Sequence, residues 1–429
     1  MSNKWVSPAR VLVLGFAIVI LLGALLLLLP VSANSGIHIR PVDALFTSTS
    51  AVCVTGLIAI DTADYFSILG RFFVGLLVQI GGLGITSVGV ALILLSHKRV
   101  GLKERILVRE SLNLSTLQGM VRLVQSIMRV TLFFEGIGLL LSFIVFSKDY
   151  PPIPAIGISA FHSVAAFNNS GFDILGNYQG LAPYKDNLLL NLTTSGLIIF
   201  GGLGFYTIRE LLHKRCWKNL SISSKIVLSV TVYLLIAGTL LLKFTENITW
   251  LGAFFQSTSA RTAGFSTYSI GKFTTAGQFV LIILMFIGAS PGSTGGGIKT
   301  TTAFTIGKSL IAFSTNQECT AFKRRIPSEN IQKAFTITLL AMILICIITF
   351  ALSIFEPQFT FMQILFEVVS GFGTVGLSTG ITPHLSDPSK LLLCLTMFAG
   401  RVGPLTVASI WLYKTSTNLS HPEERITIG

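Results

Sequence analysis

Apolar residues run through this chain in long blocks. The longer ones cover about residues 8–30, 66–95, 121–146, 187–212, 222–244, 276–313, 333–355 and 388–413. Each reaches roughly 20 residues or more, the length at which a helix crosses a bilayer. Between the two members of each successive pair lies a block too short to cross, which reads as a re-entrant helix. The pattern thus predicts a helix, a short re-entrant helix with an extended tail, and a second helix, four times over. Residues 101–119 look amphipathic and are expected on the inner face of the membrane.

The short blocks repeat in sequence as well as in length. Residues 43–57, 158–172, 251–265 and 363–377 each carry a small-residue-rich helix, a short polar stretch, and a glycine followed by a large apolar residue. Aligned on Gly56, Gly171, Gly264 and Gly376, they also superimpose Phe46, Phe161, Phe254 and Phe366. The expected fold is an all-α polytopic membrane protein, with four helix–pore-loop–helix repeats around a central pore of pseudo-fourfold symmetry. The expected units are 1–97, 98–214 with an N-terminal cytoplasmic linker, 215–320 with an intramembrane loop, and 321–429 with the C-terminal tail.

Composition agrees with the pattern. Of 429 residues, 51% are hydrophobic and 11% charged, against about 25% charged in soluble domains. The net charge of +13 does not indicate nucleic-acid binding, because the basic residues cluster in connectors between spans. One group is Lys98, Arg99, Lys103, Arg105 and Arg109. A second is His213, Lys214, Arg215, Lys218 and Lys225, and a third is Lys323, Arg324, Arg325 and Lys333. Such clusters mark cytoplasmic loops, and Lys4 and Arg10 then place the N-terminus inside. Both termini are expected in the cytoplasm, in a multi-pass cell-membrane protein surrounded by lipid. The apolar run 11–29 exceeds the h-region of a signal peptide, about 7–15 residues, and is expected to be the first span. Cys53, Cys216, Cys319, Cys346 and Cys394 are scattered without CxxC spacing, so neither a disulfide framework nor a metal site is expected. No cluster of His, Asp or Glu recurs at membrane depth, so the chain is expected not to be an enzyme and to carry no cofactor of its own.

The repeats carry a cation chemistry. Irregular backbone at membrane depth is tolerated only where protein or a water-filled cavity surrounds it, so four such stretches in one chain suggest one shared axis. Each short helix aims the partial negative charge of its C-terminus toward that axis. The extended residues behind it can replace an ion's hydration shell with carbonyl oxygens. The candidate ion-facing residues are Val54, Thr55 and Gly56; Asn169, Ser170 and Gly171; Thr262, Ala263 and Gly264; and Thr374, Val375 and Gly376.

The segment Thr374-Val375-Gly376 matches the core of K+ channel filters, and Val54-Thr55-Gly56 is close to it. Further motifs are QIGGLG from Gln79, FNNSGF from Phe167, RTAGF from Arg261, GSTGGGIKT from Gly292, FGTVGL from Phe372 and GRVGP from Gly400. With these motifs, the chain resembles the Trk/Ktr/HKT superfamily of K+ transporters over nearly its whole length. It is most similar to the KtrB-type membrane subunit of bacterial Ktr systems. That resemblance implies K+ uptake, with a Na+-selective or unselective cation path as the alternative and Na+ dependence or symport as a variation. It also implies a homodimer with one pore per protomer, seated on a cytosolic KtrA-type ring that binds ATP or ADP. Glycine at the filter position of all four units goes with K+ preference in that superfamily.

The resemblance also implies a gate in the intramembrane loop, comprising Gly292, Ser293, Thr294, Gly295, Gly296 and Gly297, with Arg401 beside it and Lys299 either acting with it or reaching the inner surface. A phosphate-loop reading of this stretch fails, because Ile298 separates Gly297 from Lys299 and no strand precedes it. Arg401 lies mid-span, where an ionisable side chain faces a cavity or the protein interior. Arg261 is expected to brace the third segment from behind or to hydrogen-bond backbone carbonyls, and not to touch the ion. Asn168 and Asn169 either line the pore mouth or satisfy buried backbone. Glu135 and Glu367 are expected to be paired structural charges, Asp43 a helix N-cap, and His162 packed. The glycines at 81–84 and 201–204 point to close packing or bending within spans.

Overall fold

The computed structural model describes residues 8–96, 100–111, 120–214 and 216–409. Lys4, Lys98, Arg99 and Arg215 from the basic groups lie outside the described residues, as do 112–119 of the amphipathic stretch and the end of the last span beyond 409. Four groups of helices follow one order. The first comprises α1 (Pro8–Leu28), a short helix α2 (Pro41–Val52), a single turn α3 (Thr62–Tyr65), α4 (Ile68–Leu83) and α5 (Ile85–Leu95). After α6 (Leu102–Ser111) come α7 (Met120–Phe146), the short α8 (Pro152–Phe167), α9 (Leu188–Gly202) and α10 (Phe205–Lys214). The third comprises α11 (Ile222–Thr245), the short α12 (Trp250–Ser259), α13 (Thr275–Phe286) and α14 (Thr300–Ser314). A hairpin of β1 (Thr320–Ala321) and β2 (Arg324–Arg325) precedes α15 (Ser328–Phe355), the short α16 (Phe361–Gly373), α17 (Asp387–Val402) and α18 (Pro404–Ser409).

Helices α1, α7, α11 and α15 are long and apolar enough to cross a membrane. Their outer faces expose large apolar side chains such as Leu25, Leu140, Phe244 and Phe350, as lipid-facing helices do. Their inner faces admit the short helices through small residues. A Cβ on Gly23, Gly138 or Gly238 would overlap Ser48, Ser163 or Ser257 of the short helix, and also a leucine of the following span. The three serine hydroxyls donate across the contact to the carbonyls of Ile20 at 2.6 Å, Glu135 at 2.7 Å and Leu235 at 3.2 Å. Small residues let the backbones approach, and the hydroxyls add hydrogen bonds that lipid cannot offer.

The second span is interrupted in every group: in groups one and two within the glycine runs that point to packing or bending, and in group four where a continuous helix is expected. It breaks at Gly84, Gly204 and Gly403, whose φ values are 81°, 87° and 97°, a region that favours glycine. Helices α4 and α5 meet at 96°, as do α9 and α10. The cause lies three residues earlier in each case. A Cβ on Gly81, Gly201 or Gly400 would overlap the carbonyl oxygen of Val52, Phe167 or Phe372, at or near the end of the neighbouring short helix. Each span thus presses its backbone against the end of a short helix and then turns aside. In the third group an irregular stretch between α13 and α14 takes the place of the break.

Asp43 is not the expected N-cap. Helix α2 begins at Pro41, and Asp43 sits in its first turn. Its carboxylate accepts from Arg40 at 2.8 Å and from Lys390 of α17 at 2.8 Å. Lys390 and Asp43 are both buried, so this ion pair joins the first group to the fourth. Carboxylates at two corresponding span ends serve as caps. Glu246, after α11, accepts from the Thr274 amide and hydroxyl, and Glu356, after α15, accepts from the Ser386 amide and hydroxyl.

Gly201→Ala forces two backbones apart and is expected to cost about 2 kcal/mol or more. Thermal unfolding in detergent measures this as a lowered midpoint. Gly196→Ala, at a position with open space around it, is the matched control and should leave the midpoint unchanged.

Candidate permeation site

The extended tails of the four short helices converge. A Cβ on Gly56 would strike the Ser170 carbonyl oxygen and Gly171. One on Gly171 would strike the Ala263 oxygen and Gly264, one on Gly264 the Val375 oxygen and Gly376, and one on Gly376 the Thr55 oxygen and Gly56. The contacts close a ring in the order one, two, three, four, one. All four glycines have positive φ, and so do Val54, Asn169, Thr262 and Thr374 two residues earlier. Every tail is therefore bent in the same way.

Most backbone amides of the tails are occupied. Thr55 donates to Ser50 O at 2.8 Å, Ser170 to Ala165 O at 2.9 Å, Ala263 to Ser259 O at 2.9 Å and Val375 to Ser370 O at 2.9 Å. The amides of Gly56 and Gly376 donate to the hydroxyls of Ser50 at 3.0 Å and Ser370 at 3.1 Å. The donors thus turn back to the helix ends, while the carbonyls of Thr55, Ser170, Ala263 and Val375 stand at the ring. An open cavity of about 990 Å³ covers one side, and all four glycines line it. Acceptors without donors beside a water-filled space suit a cation and repel an anion.

The stretch 287–299 lies against the opposite side of the ring. Gly296 donates its amide to Thr374 Oγ1 at 2.9 Å, and a Cβ on Gly295 would overlap Thr262 Oγ1. Ser290 and Thr294 donate to Gly202 O at 3.1 Å and Gly201 O at 3.3 Å, Phe205 donates to Gly292 O at 2.9 Å, and Gly297 donates to Gly400 O at 3.3 Å. Lys299 folds back onto its own loop, donating to Gly295 O at 2.7 Å. Arg401 donates to Thr294 O of the loop, to Gly81 O, and to Gly82 O at 3.3 Å. It thereby ties the loop to the break in the first group's span.

Residues 8–237 and 226–416 match the TrkH family, described as cation transport proteins. The chain is a member of the TrkH cation transport family. It is 36% identical to the potassium/sodium uptake protein NtpJ of Enterococcus hirae, over 100% of this chain and 98% of that one. It is 35% identical to the Ktr system potassium uptake protein B of Bacillus subtilis, over 99% and 98%. The fold is that of the potassium transporter TrkH from Vibrio parahaemolyticus, with TM-score 0.75, 18% identity, and coverage of 96% of this chain and 86% of the other. The chain is therefore a multi-pass membrane cation transporter.

Several side chains of this TrkH-family chain stand elsewhere than their sequence suggests. Glu367 is not paired with a cation among the described residues. It is buried in α16 and accepts from Ser378 Oγ, the amide and hydroxyl of Thr379, and Thr382 Oγ1 at 2.7–3.1 Å. It thereby pins the chain just beyond Gly376. Glu135 also lacks a basic partner among the described residues and meets the Asn168 amide at 3.2 Å, which in turn lies 2.7 Å from Gln79. Asn168 also donates to the Val164 carbonyl at 2.9 Å, so it satisfies buried backbone, one of its two expected roles, while the Asn169 amide lies 3.3 Å from Thr262 Oγ1, across from the next tail. His162 is packed as expected, against Phe146 and Phe265, and bonds to Thr194 Oγ1 at 2.9 Å. Arg261 lies behind the third tail, and its one side-chain hydrogen bond among the described residues is to Thr231 Oγ1 at 3.4 Å.

Asp173, two residues beyond Gly171, lines the cavity and accepts from the Leu175 amide at 3.0 Å. Burial pushes its carboxyl up to about 6, with Asp61 and Asp64 adding to the rise. As pH falls through that value the group gains a proton and the cavity loses a negative charge. Cation flux in liposomes is expected to fall as pH on the cavity side drops from about 7 to about 5, and Asp173→Asn should remove that dependence.

Proposed function

We propose that this chain is the K+-conducting subunit of a Ktr-type uptake system, and that the four-glycine ring is its selectivity filter. The observation that carries this reading is the cyclic contact of Gly56, Gly171, Gly264 and Gly376 beneath one shared cavity. The four carbonyls at the ring substitute for water around a dehydrated K+. The cavity is the extracellular mouth, the loop side faces the cytoplasm, and both termini lie inside. The relatives named for potassium uptake support the substrate, and the resemblance to KtrB-type subunits implies the assembly: a homodimer on a separate cytosolic ring that binds ATP or ADP.

Gly292–Gly297 with Lys299 form the gate in this reading. The loop rests on Thr262 and Thr374, directly below the ring, so an ion leaving the ring meets it first. Arg401 holds the loop shut and adds a positive charge on the exit side. In a poorly screened setting that charge repels a passing cation by a few kcal/mol. Opening requires the loop to leave its bonds to Gly201, Gly202 and Gly400, and the small residues of the stretch let it move without repacking large side chains. Sodium is the second candidate ion, favoured by the potassium/sodium name of one relative.

Gly56→Ser places a side chain against the Ser170 carbonyl and should lower the K+ over Na+ preference by about tenfold, or about 1.4 kcal/mol. Ion-ratio flux assays in liposomes test this, and an unchanged ratio overturns the filter assignment. Arg401→Ala, or deletion within 293–297, should raise basal K+ flux in the absence of any partner. Unaltered flux at normal expression contradicts the gate.

A further inference from the structure

We propose that Arg261 holds one buried water against the C-terminal turn of α9, and through it fixes the ledge from which the 287–299 loop hangs. The guanidinium carries five N–H donors, and Arg261 is only 7% exposed. Its contact with Thr231 Oγ1 is long, at 3.4 Å, and its Nε is buried without an acceptor. No carboxylate pairs with it among the described residues. A buried cation left in this state is strongly destabilising unless something else satisfies it.

The space for that partner is present. A cavity of about 10 Å³ adjoins Arg261 and is lined by Ile198, Ile199, Gly202, Leu235 and Thr258. This is the smallest space that holds one water, and it excludes a carboxylate or a phosphate. Ile198, Ile199 and Gly202 belong to the last turn of α9, where helix carbonyls concentrate partial negative charge. Thr258 Oγ1 already donates to Phe254 O at 2.8 Å, so its remaining lone pair accepts. A water in the cavity accepts from Arg261 Nε and donates to two of these oxygens.

The turn so held is the one that receives the loop, because Gly201 O and Gly202 O accept from Thr294 and Ser290. Arg401 does the same directly at Gly81 and Gly82, at the end of α4. Two arginines thus secure the ends of two broken spans, one by direct contact and one through water. Arg261 is a positioning residue. Its site stands on geometry alone, and only its effect on flux rests on the gating role of the loop.

Density for the full-length protein in nanodiscs, at a resolution that shows ordered water, should contain a peak within hydrogen-bond reach of Arg261 Nε. A well-ordered guanidinium without that peak overturns the proposal. The functional test labels Ser293→Cys with a thiol reagent in a background lacking Cys216, Cys319 and Cys346. Arg261→Met should speed labelling by about fivefold or more. Thr231→Val, which removes the direct contact but not the water, should stay within about twofold. A larger effect from Thr231→Val overturns the proposal even if Arg261→Met does not fold. Faster labelling with unchanged K+ flux retains the water site and rejects the loop as the gate.

Discussion

The structure depends on how backbone polar groups are satisfied where no bulk solvent reaches them. At membrane depth every N–H needs a partner within the protein. The four tails meet this need one-sidedly. Most of their amides turn back onto the ends of the short helices, on carbonyls and on the hydroxyls of Ser50 and Ser370. What remains unpaired is a set of carbonyls around one axis. Bare acceptors of this kind are costly in hydrocarbon. They are tolerated here because an open cavity lies over them, where water or a cation can meet them. Glycine is required at the ring because each strand lies against its neighbour's carbonyl, with no room for a side chain.

The same constraint shapes the elements around the ring. The second spans press Gly81, Gly201 and Gly400 against the ends of the short helices and then bend. The breaks leave carbonyls at the ends of α4 and α9, and these become docking points. Arg401 takes those at Gly81 and Gly82, and the loop amides take those at Gly201 and Gly202. The interruption of one span in the third group is thus held by the milder interruptions in the others.

The sequence made the repeat, the short helices and the tail glycines legible because each has a local signature: block length, small residues, and a glycine before a large apolar residue. The breaks at Gly84, Gly204 and Gly403 were less legible. Their glycines signal close approach or bending, and only the position of the facing carbonyl decides between the two. Charge partners were the hardest to read. Asp43 meets Lys390 across 347 positions, and nothing local marks that pairing. Glu367 looks like half of an ion pair, yet four hydroxyl and amide donors surround it. Serine and threonine near a membrane carboxylate were the available signal, because they supply donors without adding charge.

The ring of glycine contacts has a handedness. The space beside Gly56 belongs to the second tail, that beside Gly171 to the third, that beside Gly376 to the first, and that beside Gly264 to the fourth and the second together. A bulge in one tail therefore meets its successor's carbonyl first, and at Gly264 it meets its predecessor's Gly171 directly as well. Since the four tails differ in sequence, the same alteration made in different quarters meets a different recipient each time. Four outwardly equivalent positions are thus mechanically inequivalent.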